Sequence, residues 1–228
     1  AKSGASSIMY EEKNKYYIDI NDDWRFMKDN KSYLFTSEMN GYKHIYLYSI
    51  DGKTRTQISK GNYEVTAIEG VDEENKRVYY TMAYPRPMDR NLFVSDFSGK
   101  KTYQLTSGEA WHRVVLNDSL NRFYDYRSDI NTPQVVTLNE IVVNKKKELS
   151  AKLIKTVNES EKLKNKMAEY QLSKAEFLRI PNSKGDTLNG WMLKPASFDP
   201  NKKYPLLFCN YGGPGSQQVA NRFGAVSF

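Results

Sequence analysis

From residue 29 the chain repeats one local pattern, in which a polar turn precedes an aromatic or β-branched run and a glycine turn separates that run from a shorter one. Setting "HIYLYSIDGKTRTQISKG" (44–61) above "NLFVSDFSGKKTYQLTSG" (91–108) gives a gapless match at a shift of 47 residues. Gly52 falls on Gly99, Lys53 on Lys100, Gln57 on Gln104 and Gly61 on Gly108. Each copy reads as an apolar strand, a "DGK" or "SGK" turn, a short strand, and then "ISKG" or "LTSG"; such turn residues tolerate the left-handed backbone of tight hairpins. A second family of runs, "DNKSYLFTS" (29–37), "ENKRVYYTM" (74–82) and "LNRFYDYRS" (120–128), places a polar turn before each aromatic strand. Four short strands per unit at this spacing predict β-propeller blades, since a β-sandwich gives similar intervals without matching turns. A third unit is expected to begin at "TPQVVTLNE" (132–140), where the match is weaker. Rings need about four to eight blades, so further blades are expected upstream of residue 1.

Beyond residue 140 the period changes. "VNESEKLKNKMAEYQL" (157–172) predicts a helix with Asn158 as N-cap, Glu161 three positions on, and a core-facing stripe of Leu163, Met167 and Tyr170. Strands return at 175–180 and 188–195, followed by the continuous apolar run "YPLLFCN" (204–210). A run of that kind is expected where a strand is buried on both faces of an α/β sheet. The predicted fold is therefore mostly β. Propeller blades occupy residues 1–150, a helical linker 151–172, and the beginning of an α/β domain 173–228.

Composition narrows the function classes. Hydrophobic residues make up 39% of the 228, aromatics 13% and charged residues 27%, with 17 tyrosines, which is the composition of a folded, sheet-rich chain. The net charge of +7 is concentrated at residues 144–166, yet Glu148, Glu159 and Glu161 interleave with the lysines and no aromatic stacking pattern accompanies them. This reads as a solvated helix face, with no nucleic-acid partner. Cys209, the sole cysteine, lies in the apolar run and is expected to be a buried small hydrophobe. One cysteine and two distant histidines offer no zinc-site spacing, so neither metal nor cofactor is expected. No apolar run has the length of a membrane span and no signal peptide opens the chain; the initial alanine fits a processed or excised chain.

The remaining chemistry lies in "NYGGPGSQQ" (210–218). Gly212, Gly213 and Gly215 around Pro214 permit a sharp turn with exposed N–H groups, suited to an anion or oxyanion. A phosphate loop is disfavoured because no "GK[ST]" follows, and a plain turn after a strand is the alternative. The run "GDTLNGWMLKPASFDPNKKYPLLFCNYGGPGSQQV" (185–219) closely resembles the opening of the catalytic α/β-hydrolase domain in the prolyl oligopeptidase family of serine peptidases, nearest its dipeptidyl peptidase IV branch. Upstream, "EMNGYKHIYLYSIDGKTRTQISKGNYEV" (38–65) and "GEAWHRVVLNDSLNRFYDYRS" (108–128) resemble the later blades of that family's propeller.

The resemblance implies a serine exopeptidase that releases N-terminal dipeptides, Xaa-Pro or Xaa-Ala, from peptides with a free N-terminus. It implies that Tyr211 places its hydroxyl in the oxyanion hole, where a phenol O–H stabilises charge that appears only in the transition state. It further implies a homodimer of the complete protein, located in the periplasm or at the cell surface. The sequence departs from the family pattern in having no G-x-S-x-G elbow and no histidine after His112, and nothing in it matches the family's amine-binding glutamate pair. His112, beside Trp111, is expected to be structural, since a lone histidine is no general base without a nucleophile in reach. The chain is accordingly expected to be an interior fragment, inert alone. Two alternatives are a propeller-type interaction module without catalysis and a tripeptidyl or acylaminoacyl peptidase on the same scaffold.

Overall fold

The computed structural model describes residues 4, 8–211, 213 and 215–224. Three four-stranded antiparallel sheets follow one another along the chain, each a simple meander. The first contains β1 (Arg25–Phe26), β2 (Ser32–Ser37), β3 (His44–Ser49) and β4 (Arg55–Gln57). The second contains β5 (Val65–Asp72), β6 (Arg77–Met82), β7 (Asn91–Asp96) and β8 (Thr102–Gln104). In the third are β9 (Trp111–Leu116), β10 (Arg122–Ser128), β11 (Val135–Val143) and β12 (Leu149–Asn158). These are propeller blades, and the 47-residue repeat superposes β3 on β7 and β4 on β8 residue for residue. The expected start of a third unit at 132 is corrected. The repeated half comprises the last two strands of a blade, so the third blade begins at Trp111 and residues 135–143 are its third strand.

Period-two alternation sends neighbouring residues into different cores. In β6, Val78, Tyr80 and Met82 pack with Leu34, Ile45 and Phe93 between the first and second sheets. Tyr79 points the other way, joining Leu92, Val94, Val114, Phe123 and Leu149 between the second and third. The middle blade is thus buried on both faces, each of which removes several large apolar side chains from water at about 25 cal/mol per Å². On the far face of the first blade, Tyr33, Phe35, Tyr46 and Tyr48 are covered by Tyr10 and Trp24 from the preceding segment.

The glycine turns have the expected left-handed backbone, with φ of 69° at Gly52 and 64° at Gly99. Gly99 also seats against the first blade, where an added Cβ would stand 2.4 Å from the Gln57 carbonyl oxygen.

Several expectations for the second half are corrected. The helix α1 spans Glu161–Ala168, not 157–172, and buries none of its residues; Leu163 and Tyr170 are exposed. Asn158 does not cap it, because Ser160 occupies the N-cap with a left-handed φ of 56° and Asn158 accepts the Ser160 N–H instead. Residues 149–158 are a strand, with Leu149 and Ala151 packed in the core and Lys152 and Lys155 in solvent. The basic run is therefore solvated, but mostly along a strand, because β11 offers it an open edge and a ladder of backbone bonds.

The predicted strands at 175–180 and 188–195 form a hairpin, β13 (Ala175–Pro181) with β14 (Thr187–Leu193). The apolar run after it is not a buried strand. Among the described residues nothing pairs with 204–210, so Leu206, Leu207 and Phe208 are 82%, 87% and 74% exposed, and Cys209 is exposed as well. An apolar strand is buried only by sheet neighbours and covering layers, and the β13–β14 hairpin supplies neither to this run.

Candidate functional site

The segment after the glycine-rich loop returns to the blades and is fastened there. Its seat is made by the residues before β7 and β9 and after β10. The loop "YPRPMDR" (84–90) folds on itself: the Asp89 N–H donates to the Arg86 carbonyl at 3.0 Å, and the Arg86 guanidinium grips the buried Asp89 carboxylate through two bonds of 2.7 and 3.0 Å. That carboxylate raises the pKa of Arg86, with a further contribution from Glu109 2.9 Å away. Arg90 pairs by backbone with Ala110 and His112, tying the start of β7 to that of β9.

Asn221 is the hub of the seat and is 2% exposed. Its backbone N–H donates to the Met88 carbonyl at 2.9 Å, while its Nδ2 donates to Asp89 Oδ1 at 2.8 Å and to the Glu109 carbonyl at 2.9 Å. Its Oδ1 accepts the Ile130 N–H at 2.9 Å. One amide thus satisfies polar groups from three connections of the second and third blades, groups that would be costly to bury unpaired. Two further points secure the same region. Asn131 makes a reciprocal pair of bonds with the Ala175 backbone at 2.8 and 3.0 Å, and Arg86 lies 5.1 Å from the Phe177 ring centre. The hairpin and the terminal segment are therefore both bonded to the blades.

Upstream of Asn221, Gln217 donates through Nε2 to the Pro87 carbonyl at 2.8 Å and accepts from Arg90 Nη2 at 2.5 Å. The Arg90 guanidinium sits 4.5 Å from the Trp111 ring centre, a ring that Arg222 also approaches at 5.5 Å.

Tyr211 lies six residues before Gln217 and is 58% exposed. Its ring folds over Gly213, where a Cβ would meet the phenol oxygen at 2.8 Å. Gly215 has the left-handed φ of 72°, while Gly212 and Pro214 lie outside the described residues. Ser216 accepts a bond from Gln218 at 2.8 Å, and its bonding includes no histidine.

His112 is 4% exposed, with Nδ1 2.8 Å from the Asp125 carboxylate. Its Nε2 is buried without a hydrogen-bond partner among the described residues. The pair has the composition of two thirds of a catalytic triad, but at this burial no substrate reaches the imidazole, which holds β9 to β10. Among the described residues no group of three or more His, Cys, Asp or Glu is placed to hold a metal ion, and no helix is long and apolar enough to cross a membrane. Surface hollows of about 510 Å³ beside residues 157–163 and about 170 Å³ between Arg77, Tyr103 and Lys147 are both lined by residues other than Tyr211.

The sequence reading singled out Tyr211 and missed Arg90, Asp89, Asn131 and Asn221. The available signal was three charges, Arg86, Asp89 and Arg90, crowded into the short connection that leads into the apolar strand β7.

Comparison with known proteins agrees with this architecture. Residues 1–134 match the family model described as the dipeptidyl peptidase IV (DPP IV) N-terminal region. The chain is 33% identical over 214 residues to dipeptidyl peptidase 4 of Trichophyton rubrum, covering 94% of this chain and 25% of that protein. It is 30% identical over 221 residues to the probable dipeptidyl peptidase 4 of Aspergillus flavus, covering 97% and 26%. The crystal structure of Porphyromonas gingivalis dipeptidyl peptidase 4 matches with a TM-score of 0.77 at 29% identity, over 89% of this chain and 27% of that one. The chain spans about a quarter of the length of the curated relatives it matches.

Proposed function

The chain belongs to the dipeptidyl peptidase IV family, and from that premise we propose that it is part of a serine exopeptidase releasing N-terminal dipeptides, with Tyr211 as the oxyanion-hole donor. The expected division into 1–150, 151–172 and 173–228 shifts at its first boundary, because β12 runs to Asn158: the propeller portion extends to residue 158, the linker is 159–172, and 173–228 is the opening of its α/β-hydrolase domain. The observation that carries the proposal is the junction described above: an exposed phenol at the head of a glycine-rich loop whose far end is bonded to the blades.

In the reaction, a serine outside this sequence, its proton passing to a histidine that also lies outside it, attacks the carbonyl of the second residue of the substrate, and negative charge develops on that carbonyl oxygen. The Tyr211 O–H donates to that oxygen, a bond stronger in the tetrahedral intermediate than in the bound peptide, and so lowers the barrier. The 228-residue chain has no nucleophile elbow and no histidine beyond His112, so by itself it performs no acyl transfer. Xaa-Pro and Xaa-Ala peptides with a free N-terminus are the substrates, the complete protein is a homodimer, and its place is the periplasm or the cell surface.

The experiment is hydrolysis of a Gly-Pro chromogenic amide by the product of the complete open reading frame and by the 228-residue chain. The complete protein is expected to release the chromophore and to be silenced by a serine-directed inhibitor. In it, Tyr211→Phe lowers kcat by about 10²–10³-fold, while the 228-residue chain is inert. A complete protein that cleaves only tripeptide or acylated substrates would sink the dipeptidyl assignment, and one that cleaves none would sink the peptidase.

A further inference from the structure

Between Tyr211 and Gln217 the described residues make no hydrogen bond to the blades. The phenol is more than half exposed, and its close neighbour is Gly213 of its own loop. The first fixed point downstream is Gln217, which donates to the Pro87 carbonyl and accepts from the Arg90 guanidinium. This guanidinium is prepared for that contact before Gln217 arrives. The backbone of Arg90 is bonded to Ala110 and His112 of the neighbouring strand, its Nη1 donates to the Pro87 and Asp89 carbonyls at 2.8 and 2.7 Å, and its plane lies near Trp111. It is 9% exposed. Burial acts against its charge, and the Glu64 and Asp89 carboxylates act for it. Its Nη2 is then directed at Gln217 Oε1, 2.5 Å away, in a charge-assisted bond.

We propose that Arg90 is a positioning residue for Tyr211, acting through Gln217 across the junction between the blades and the C-terminal segment. This rests on the oxyanion reading of Tyr211. A donor stabilises a transition state only if it is already in place when charge develops, and a loop anchored at neither end must be ordered during the reaction. The planar fork of Arg90 bonds two blade carbonyls and the loop glutamine at once, a geometry that lysine does not reproduce. The blade therefore sets the position of a group in the hydrolase portion that it does not touch.

The test uses the complete protein, with active sites counted by titration with a serine-directed inhibitor. Gln217→Ala cuts the link from its exposed side and leaves the blade core intact; Arg90→Lys and Arg90→Met cut it from the buried side. Gln217→Ala and Arg90→Met are each expected to lower kcat about tenfold to a hundredfold with KM within about twofold, and Arg90→Lys to recover little. Combined with Tyr211→Phe, Gln217→Ala should cost nothing further, because the group it positions is gone. Full additivity with Tyr211→Phe, or wild-type kcat in Gln217→Ala, would overturn the positioning role while leaving the oxyanion role in place. Wild-type kcat in Tyr211→Phe would overturn both. Backbone amide exchange of residues 215–219 in the 228-residue chain gives a readout independent of catalysis. Gln217→Ala is expected to speed exchange there, and unchanged exchange would count against the anchor.

Discussion

His44 stands in the first blade where Asn91 stands in the second, and the two side chains make the same pair of bonds. The Ile45 N–H donates to Ser59 Oγ at 2.9 Å, the Ser59 hydroxyl donates to His44 Nδ1 at 3.0 Å, and His44 Nε2 donates to the Gly61 carbonyl at 3.0 Å. In the next blade the Leu92 N–H donates to Thr106 Oγ1 at 2.8 Å, Thr106 to Asn91 Oδ1 at 3.0 Å, and Asn91 Nδ2 to the Gly108 carbonyl at 3.0 Å. All four partners are displaced by the 47 residues of the sequence repeat. This is what the serine or threonine and the final glycine of "ISKG" and "LTSG" do: they close the end of each hairpin around a buried polar side chain.

The equivalence predicts that His44→Asn folds with a loss below about 1.5 kcal/mol, because asparagine already serves in the second blade. Ser59→Ala leaves the Ile45 N–H and His44 Nδ1 without these partners, while Nε2 keeps the Gly61 carbonyl, and should cost about 1–3 kcal/mol. Urea unfolding of both variants checks the pair, and equal losses would contradict the clasp.

The same site predicts an acid dependence. Burial holds the His44 pKa below its ordinary 6.5, with the Gly61 bond opposing the shift, and the imidazole must be neutral at Nδ1 to accept from Ser59. In the unfolded chain the histidine takes up a proton as pH falls through 6.5, whereas the folded chain resists until its lower pKa. The contribution is therefore complete above pH 6.5 and is lost progressively as pH falls through the folded pKa below it, with a slope that stays under the one-proton limit of about 1.4 kcal/mol per pH unit. In His44→Asn that part of the slope should vanish between pH 7 and 5. A slope identical to that of the parent would assign it to other groups.

Gly52 and Gly99 are equivalent in the repeat but not in packing. Alanine at either strains the left-handed backbone by about 1–2 kcal/mol. At Gly99 a Cβ also meets the Gln57 carbonyl oxygen at 2.4 Å and Ile58 at 2.9 Å, whereas at Gly52 its nearest atom is 3.5 Å away. Gly99→Ala is thus expected to destabilise more than Gly52→Ala, measured as the difference in urea midpoint.

Leu92 and Leu207 separate the built core from the apolar run after the hairpin. Leu92 is fully buried between the second and third blades, so Leu92→Ala should cost about 2–5 kcal/mol. Leu207 is 87% exposed, and Leu207→Ala in the 228-residue chain should change stability by less than about 0.5 kcal/mol. A large loss at Leu207 would mean that residues 204–210 are packed after all.

Asn221→Ala removes the side-chain partner of the Ile130 N–H and one partner of the buried Asp89 carboxylate. Its cost should be about 2–3 kcal/mol, and it should expose residues 215–224 to limited proteolysis while the blades stay resistant. Simultaneous digestion of the blades would show that the terminal segment and the propeller unfold as one.

The sequence by itself determined the blades. Turn glycines, period-two alternation and a gapless repeat are local signals, and a meander of hairpins is built from local contacts, so β3, β4, β7 and β8 fall where the repeat puts them. It also drew attention to Tyr211, through a contiguous motif. Only the tertiary structure decided the rest. The charge pattern of 149–158 reads as a solvated helix face, and the open edge of β11 makes it a strand instead. The apolar run 204–210 has the pattern of a buried strand, but burial is a property of neighbours, and here it has none among the described residues. Arg90 with Gln217 and Asp89 with Asn221 join residues 127 and 132 positions apart. No local pattern encodes such pairs, because the free energy that selects them exists only once the blades have brought their connecting loops to a common surface.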